Sequence, residues 1–176
     1  MLTNRIGLNT DAWHKLIREI NMKTYLNIGL ALIAGMIIGG IVNMAIVMLG
    51  PMIIPPPAGV DMSSAESMGA NVDLLESKHY IFPLIAHALG TYVGALVAYK
   101  IAKQYQAIAA MLIGLLFFIG GVTAIQMIDA PTDFILVDLI FAYFPMAYAA
   151  IKTLQPHPAL QKIDDLAEIH KLRKRD

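Results

Sequence analysis

Four polar side chains lie inside apolar stretches that are long enough to cross a membrane: His87, Asp138, Asn43 and Gln126. Polar and ionisable groups are costly in hydrocarbon, so they usually face neighbouring helices or a cavity and pair with one another. An imidazole can balance the negative charge of a carboxylate when it is protonated, or form a hydrogen bond with it. The chemistry that these residue types permit is therefore hydrogen bonding or proton transfer inside a membrane.

Position along the chain places these side chains at similar depths. His87 lies about seven residues, roughly 10 Å, inside its stretch, and Asn43 lies at a similar depth in its own. Asp138 is about one turn inside the last stretch, and Gln126 is near the end of the third. We therefore predict a polar layer in the outer half of the protein, in which His87 is satisfied by Asp138 or Asn43. Two further residues are expected to extend this layer: Thr91 and Tyr143.

The polar layer has two interpretations. It can be structural, with hydrogen bonds that set the register of the helices and contribute about 1 kcal/mol or less each. It can also be functional, as a proton-linked conduit or as a pocket for a small ligand or a lipid headgroup. In both interpretations we expect His87 and Asp138 to meet, because their helices run in the same direction and equal depth needs no shift in register.

Metal and cofactor chemistry is not expected. One histidine with one aspartate is fewer than the three or four ligands of a zinc site, and His79 would have to move in from a loop. Haem would need an axial ligand from a second chain. The sequence has no H-E-x-x-H motif, no nucleophile triad in a recognisable order and no glycine loop for phosphate. It therefore predicts no cofactor, no metal and no enzymatic activity.

The composition explains why these side chains are embedded. Of the 176 residues, 57% are hydrophobic and 15% are charged, with a mean hydropathy of +0.62. Soluble domains are about 45–50% apolar and about 25% charged. The formal charge of +0 and the absence of cysteine give no reason to expect nucleic acid, disulfides or thiolate metal sites. The chain is predicted to be a membrane protein.

Four stretches approach or exceed the roughly 20 residues that cross about 30 Å of hydrocarbon. They cover about residues 25–50, 81–102, 108–128 and 134–153. The connections after the second and third stretches are short, and short connections make neighbouring helices antiparallel. We therefore predict an all-α fold, an antiparallel bundle of four transmembrane helices over residues 25–153.

The basic residues orient this bundle. Twelve of the thirteen lysines and arginines lie in the N-terminal arm, in the second connection or from Lys152 onward, and the first loop has only Lys78. By the positive-inside rule, the arm (residues 1–24) and the tail (residues 154–176) are cytoplasmic. Residues 10–22 and the tail both have the pattern of basic amphipathic helices that lie on the membrane surface.

The first loop, residues 51–80, is expected on the opposite side. Pro51 and the prolines at 55–57 should interrupt the first helix. Ser63 with Glu66 three residues later is a capping-box pattern, followed by apolar residues at helical spacing. We predict a short helix over about 64–77 that acts as an external lid.

Small residues mark the faces where helices should approach closely, because packing rather than the hydrophobic effect drives helix association in lipid. The expected packing positions are Gly35, Gly39, Gly40, Ala86, Gly90, Gly94, Ala98 and Gly114. Their spacing leaves open whether they pack within one chain or between chains. In the last stretch, Pro145 should kink the helix and leave the carbonyl near Phe141 without its helical partner.

Several stretches together resemble a family of small four-span bacterial integral membrane proteins, over residues 30–150. They are HYIFPLIAHALGTYVGALVA, GMIIGGIVNMAIVMLG, PPPAGVDMSSAESM and FAYFPMAYAA. The resemblance implies a four-span fold in a bacterial inner membrane and carries no activity with it. Because packing motifs are dense, we expect a non-enzymatic accessory or self-associating subunit, in contact with the lipid bilayer and present as a homo-oligomer or in a larger membrane complex. The alternative is a small transporter, channel or ligand-binding protein that uses the polar layer.

Overall fold

The computed structural model describes residues 10–155, with side chains from Met22 onward. Within that part every regular element is helical. Six α-helices occur in the order α1 (Thr10–Ile53), α2 (Ala65–Ala70), α3 (Ile81–Ile101), α4 (Gln106–Ile128), α5 (Thr132–Phe141) and α6 (Phe144–Leu154). Short 3-10 turns cover Val72–Leu74 and Ser77–Tyr80. The helix predicted for the tail lies outside the described residues.

Four segments are long and apolar enough to span a membrane: Met22–Ile53, Ser77–Ile101, Gln106–Ile128 and Thr132–Leu154. They agree with the four predicted stretches to within a few residues at most boundaries. Because each has at least the roughly 20 residues that the hydrocarbon thickness requires, the chain has the architecture of a multi-pass membrane protein.

Helix α1 is a single helix of 44 residues, about 66 Å long at 1.5 Å per residue. It joins the predicted surface helix of residues 10–22 to the first span, without a turn between them. The expectation that Pro51 interrupts this helix is wrong, because Pro51 lies in the last turn, where only one helical hydrogen bond is lost. The amide of Ile54 still donates to the carbonyl of Gly50 at 2.8 Å, and the prolines that follow end the helix.

The predicted loop helix is shorter than expected and is capped differently. Helix α2 ends at Ala70, and its N-cap is Ser64, whose hydroxyl accepts from the amide of Ser67 at 3.2 Å. The predicted capping box of Ser63 with Glu66 is therefore wrong. Ser63 instead donates its hydroxyl and its amide to Asp61, at 2.7 and 2.9 Å, and these bonds hold the pKa of Asp61 below its ordinary value.

The loop packs on the ends of two spans. Gly69 of α2 lies against the carbonyl of Met127 at the end of α4, so closely that an added Cβ would collide with it. An apolar cluster continues this contact around the start of α5, with Val60, Met62, Met68, Tyr80 and Ala130 as its buried members. We refer to this end of the molecule, residues 54–80 and 129–131, as the loop end. The opposite end, residues 22–24, 102–105 and 152–155, is the terminal end.

Helix α3 contacts the other three spans, and its closest neighbour is α1. A Cβ atom built on Gly35 would lie 2.7 Å from the carbonyl oxygen of Gly94, and one built on Gly39 would lie 2.6 Å from that of Gly90. The two backbones therefore touch through glycines, as the small-residue spacing predicts. Gly40 differs, since nothing lies within 4 Å of its added Cβ. The remaining predicted packing positions, Ala86, Ala98 and Gly114, are buried.

The fourth span is broken rather than merely kinked. Pro145 has no N–H group to donate to the carbonyl of Phe141, and the backbone at Tyr143 leaves the helical conformation with φ −116° and ψ −82°. Pro145 instead occupies the first turn of the new helix α6, where its missing N–H costs nothing. The two halves differ in burial, because Asp138 is the only buried residue of α5, whereas α6 buries three apolar residues.

Candidate functional site

The break in the fourth span brings three polar side chains together. The Nδ1 atom of His87 lies 2.9 Å from Oδ1 of Asp138. The hydroxyl of Tyr143 donates to Oδ2 of Asp138 at 2.6 Å and lies 3.0 Å from Nδ1 of His87. The predicted contact between His87 and Asp138 is thus present, and Tyr143 makes it a group of three. We call these residues the His87 group.

The hydrogen bonds determine what each member can still do. The phenol has one hydrogen, which it gives to Asp138. When Asp138 is ionised, Nδ1 of His87 carries a hydrogen and donates it to the other carboxylate oxygen. The second ring nitrogen, Nε2, has no hydrogen-bond partner among the residues described. In that state both carboxylate oxygens are occupied by donors, and Nε2 is the atom that remains available for a proton or a ligand.

Burial is unequal within the group. The side chain of Asp138 is 1% exposed and that of His87 is 22% exposed, while Tyr143 is fully buried. His87 lies on the same face of α3 as Gly90 and Gly94, which pack against α1. The exposed apolar residues of this part of α3 lie on the opposite face: Ile81, Ile85 and Leu89. His87 therefore lies on the face of α3 that packs against other helices, and about a fifth of its side chain stays exposed.

One proton sets the charge of the His87 group. With Nε2 unprotonated, the group holds a carboxylate and a neutral ring, and its net charge is minus one. With Nε2 protonated, the imidazolium and carboxylate form a neutral pair. Since every described lysine lies at an end of a span or in the loop, none of them contributes a counter-charge by contact. Proton exchange at Nε2 is thus a change of net charge among apolar helices, where charge is costly.

Helix α4 supplies the space that Tyr143 occupies. A Cβ atom built on Gly121 would collide with the hydroxyl of Tyr143, and the ring of Phe118 meets Tyr143 edge-on, with centroids 5.8 Å apart and an interplanar angle of 86°. Gly121 is not among the residues predicted for the site. The signal was available, because Gly114, Phe118 and Gly121 follow one another at spacings of four and three residues and so share one face of α4.

The other predicted members of the polar layer do not join the His87 group. Asn43 is half-buried beside Gly90, and its side chain makes no hydrogen bond to the group. Thr91 is fully buried, and its hydroxyl has no partner in the described part of the chain. Gln126 is exposed, because it faces away from the other helices. Asp138 rather than Asn43 therefore satisfies His87.

His79, the one further ligand that was considered for a metal, is held in the loop. Its side chain is buried, and its Nδ1 atom accepts a hydrogen bond from the backbone amide of Glu76 at 2.9 Å. Over residues 22–155, no three histidine or acidic side chains come close enough to hold a metal ion together. The His87 group is thus a hydrogen-bonded group whose one open donor or acceptor atom is Nε2.

No family model, curated protein or solved structure matches this chain. The role of the His87 group is therefore inferred from its own geometry. Its distinguishing features are a fully buried carboxyl group with two hydrogen-bond partners, an imidazole with one nitrogen that has no partner among the described residues, and a helix break at the residue that completes the group.

Proposed function

We propose that this protein is a small, non-enzymatic, proton-linked transport protein of the bacterial inner membrane, with His87 as its proton-carrying side chain. In this proposal the spans form an antiparallel bundle, both termini are cytoplasmic and the loop of residues 51–80 is an external lid. The lysine distribution supports this orientation, because four described lysines lie at or next to the terminal end, Lys23, Lys100, Lys103 and Lys152, and Lys78 is the only described lysine at the loop end.

The observation that carries the proposal is the hydrogen bonding of the His87 ring. Asp138 and Tyr143 hold one side of the ring at 2.9 and 3.0 Å, and on the other side Nε2 has no hydrogen-bond partner among the described residues. Ionisable residues in the middle of spans are expensive to keep and commonly serve proton or solute pathways. A ring that is held at Nδ1 and free at Nε2 is arranged to exchange a proton without losing its position.

In this proposal, the break in the fourth span couples proton exchange at His87 to a movement of α5. Asp138 is the only buried residue of α5, so its bonds to His87 and Tyr143 are the main buried attachment of that half-span. A change in the charge of His87 changes the strength of the His87–Asp138 bond. Broken helices beside a central polar site are a recurring feature of transporters, where a half-helix moves relative to the rest. We propose that α5 is the moving half-helix here.

Proton uptake into liposomes tests this function. The purified protein is reconstituted with a pH-sensitive dye inside, and a potassium diffusion potential drives protons inward. The intact protein should raise the rate of proton uptake above that of empty liposomes, and His87→Gln should lower this added rate by about tenfold or more, because it removes the only group in the layer that can exchange a proton at Nε2.

Gln126→Ala is the matched control for the proton-uptake experiment, because Gln126 is a polar residue of a span that is exposed and lies outside the group. It should keep the rate of the intact protein. Equal uptake by the intact protein and His87→Gln, with both folded, contradicts the proposed role of His87.

A self-associating or accessory role is the second candidate, and α1 favours it. Its span is the least buried of the four, and Gly29 and Gly40 have nothing within 4 Å of an added Cβ. Glycine weakens a helix, so two glycines on an open face are expected where another helix approaches. Native mass spectrometry after gentle extraction should show two or more copies or a partner subunit. A single copy under all extraction conditions contradicts this second role.

A further inference from the structure

The terminal end holds a polar cavity that is separate from the His87 group. Its volume is about 450 Å³, and it is lined by Lys23, Thr24, Asn27, Lys103 and Gln104. The first three residues come from α1, and the last two come from the turn between α3 and α4. The cavity thus lies where two spans leave the apolar region, and two of its five lining side chains are lysines.

The turn that carries Lys103 is braced by α1. The side-chain amide of Asn27 donates to the carbonyl of Ile101 at 3.2 Å, and its oxygen accepts from the backbone amide of Lys103 at 2.8 Å. The hydroxyl of Thr24 contacts the side-chain oxygen of Gln104 at 3.2 Å. These bonds tie the turn to α1, so the two lysines belong to elements that are fixed relative to each other.

The charge of the cavity is not neutralised by the described residues. Lys23 and Lys103 are both exposed, and neither forms an ion pair with a described acidic residue. Apart from Asp138, the acidic residues whose side chains are described lie at or next to the loop end: Asp61, Glu66, Asp73, Glu76, Asp129 and Asp133. Among the described residues, the cavity therefore has an excess of positive charge, together with side-chain amide groups from Asn27 and Gln104.

We infer that this cavity binds the phosphate group of an anionic phospholipid. Lysine ammonium groups at the ends of spans attract anionic headgroups, and the side-chain NH2 groups of Asn27 and Gln104 can donate further hydrogen bonds to phosphate oxygens. Directly beyond the cavity, α1 presents Leu26 and Leu30, which are 69% and 61% exposed. A phospholipid accounts for both the lysines and the exposed leucines, because its phosphate can lie between the lysines and its acyl chains along the leucines. A free phosphate accounts for the lysines alone.

Native mass spectrometry with added lipid tests this inference. The full chain in mild detergent is titrated with phosphatidylglycerol, and in a second arm with phosphatidylcholine. The variant Lys23→Gln with Lys103→Gln should bind phosphatidylglycerol about thirtyfold more weakly, since each interfacial lysine contributes roughly a factor of five. The charge-preserving variant Lys23→Arg with Lys103→Arg should retain binding.

The matched control removes the same number of charges from the same end. Lys100 is exposed and is not a lining residue, and Lys152 lies over the ring of Tyr148, 5.3 Å from its centroid. Lys100→Gln with Lys152→Gln should therefore bind phosphatidylglycerol as the natural sequence does. An equal loss in both double variants would overturn the assignment, because it would mean that diffuse surface charge holds the lipid.

Two further outcomes decide between the sources of the phosphate. Phosphatidylcholine that binds as tightly as phosphatidylglycerol would contradict an anion site. Inorganic phosphate that displaces bound phosphatidylglycerol at equal concentration would assign the cavity to a free phosphate instead of a lipid. Neither is expected, because the exposed leucines of α1 add an apolar contact that inorganic phosphate cannot make.

Discussion

Replacing Gly39 by alanine should force α1 away from α3 and destabilise the folded protein by about 3 kcal/mol, at the upper end of the usual cost of overpacking. The added Cβ atom would lie 2.6 Å from the carbonyl oxygen of Gly90, 2.9 Å from Cζ of Phe117 and 3.0 Å from Cα of Gly94. Two of these three neighbours are backbone atoms of α3, which cannot rotate out of the way as the end of a side chain can. The helices must therefore separate.

Gly40→Ala is the matched control, one residue further along the same helix. Nothing lies within 4 Å of its added Cβ, so the substitution should be neutral or slightly stabilising, because alanine favours a helix by up to about 1 kcal/mol over glycine. Thermal unfolding in mild detergent compares the two variants. The separation is measured directly with spin labels on Ile41 and Leu89, since both are exposed and the chain has no cysteine of its own.

An unchanged label distance in folded Gly39→Ala would contradict the close contact of α1 with α3. A loss of stability in Gly40→Ala would instead assign that glycine to a contact between chains, as in the second candidate function. The two adjacent glycines thus separate packing within the chain from packing between chains.

Replacing Gly121 by alanine should break the His87 group and abolish most proton uptake. The new methyl group would occupy the position of the Tyr143 hydroxyl, so the phenol would lose its hydrogen bond to Asp138 and its contact with His87. A buried polar group left without its partner costs about 1–3 kcal/mol, and the displaced ring adds an overpacking cost of about 1–3 kcal/mol. We expect a combined loss of about 3–4 kcal/mol in the free energy of unfolding.

A double-mutant cycle identifies the cause of this loss. Tyr143→Phe removes the hydroxyl and makes part of the room that the methyl group needs, so Gly121→Ala should cost less in the Tyr143→Phe background than in the natural sequence. Gly120→Ala is the control, because nothing lies within 4 Å of its added Cβ. Additive effects of Gly121→Ala and Tyr143→Phe on thermal unfolding would show that the two residues do not share this space.

Sequence patterns alone determined the four spans and the contact between His87 and Asp138. Membrane thickness fixes the length of an apolar segment, so the four spans follow from hydropathy without knowledge of their neighbours. Proline cannot donate a backbone hydrogen bond, so Pro145 locates the interruption of the fourth span. His87 and Asp138 lie at equal depth in helices that run in the same direction, so their contact could also be predicted. The function of that contact stays a prediction.

Only the tertiary structure decided how helices rotate about their axes and where adjacent small residues point. Spacing cannot distinguish Gly39 from Gly40 or Gly121 from Gly120, because each pair differs by 100° on the helix and only the position of the neighbouring helix selects one member. The same rotation turns Gln126 outward, although its depth in the third span predicts a place in the polar layer. Tyr143 completes the His87 group because the backbone leaves the helix at that residue, and the direction of a side chain at a break depends on the packing of both halves.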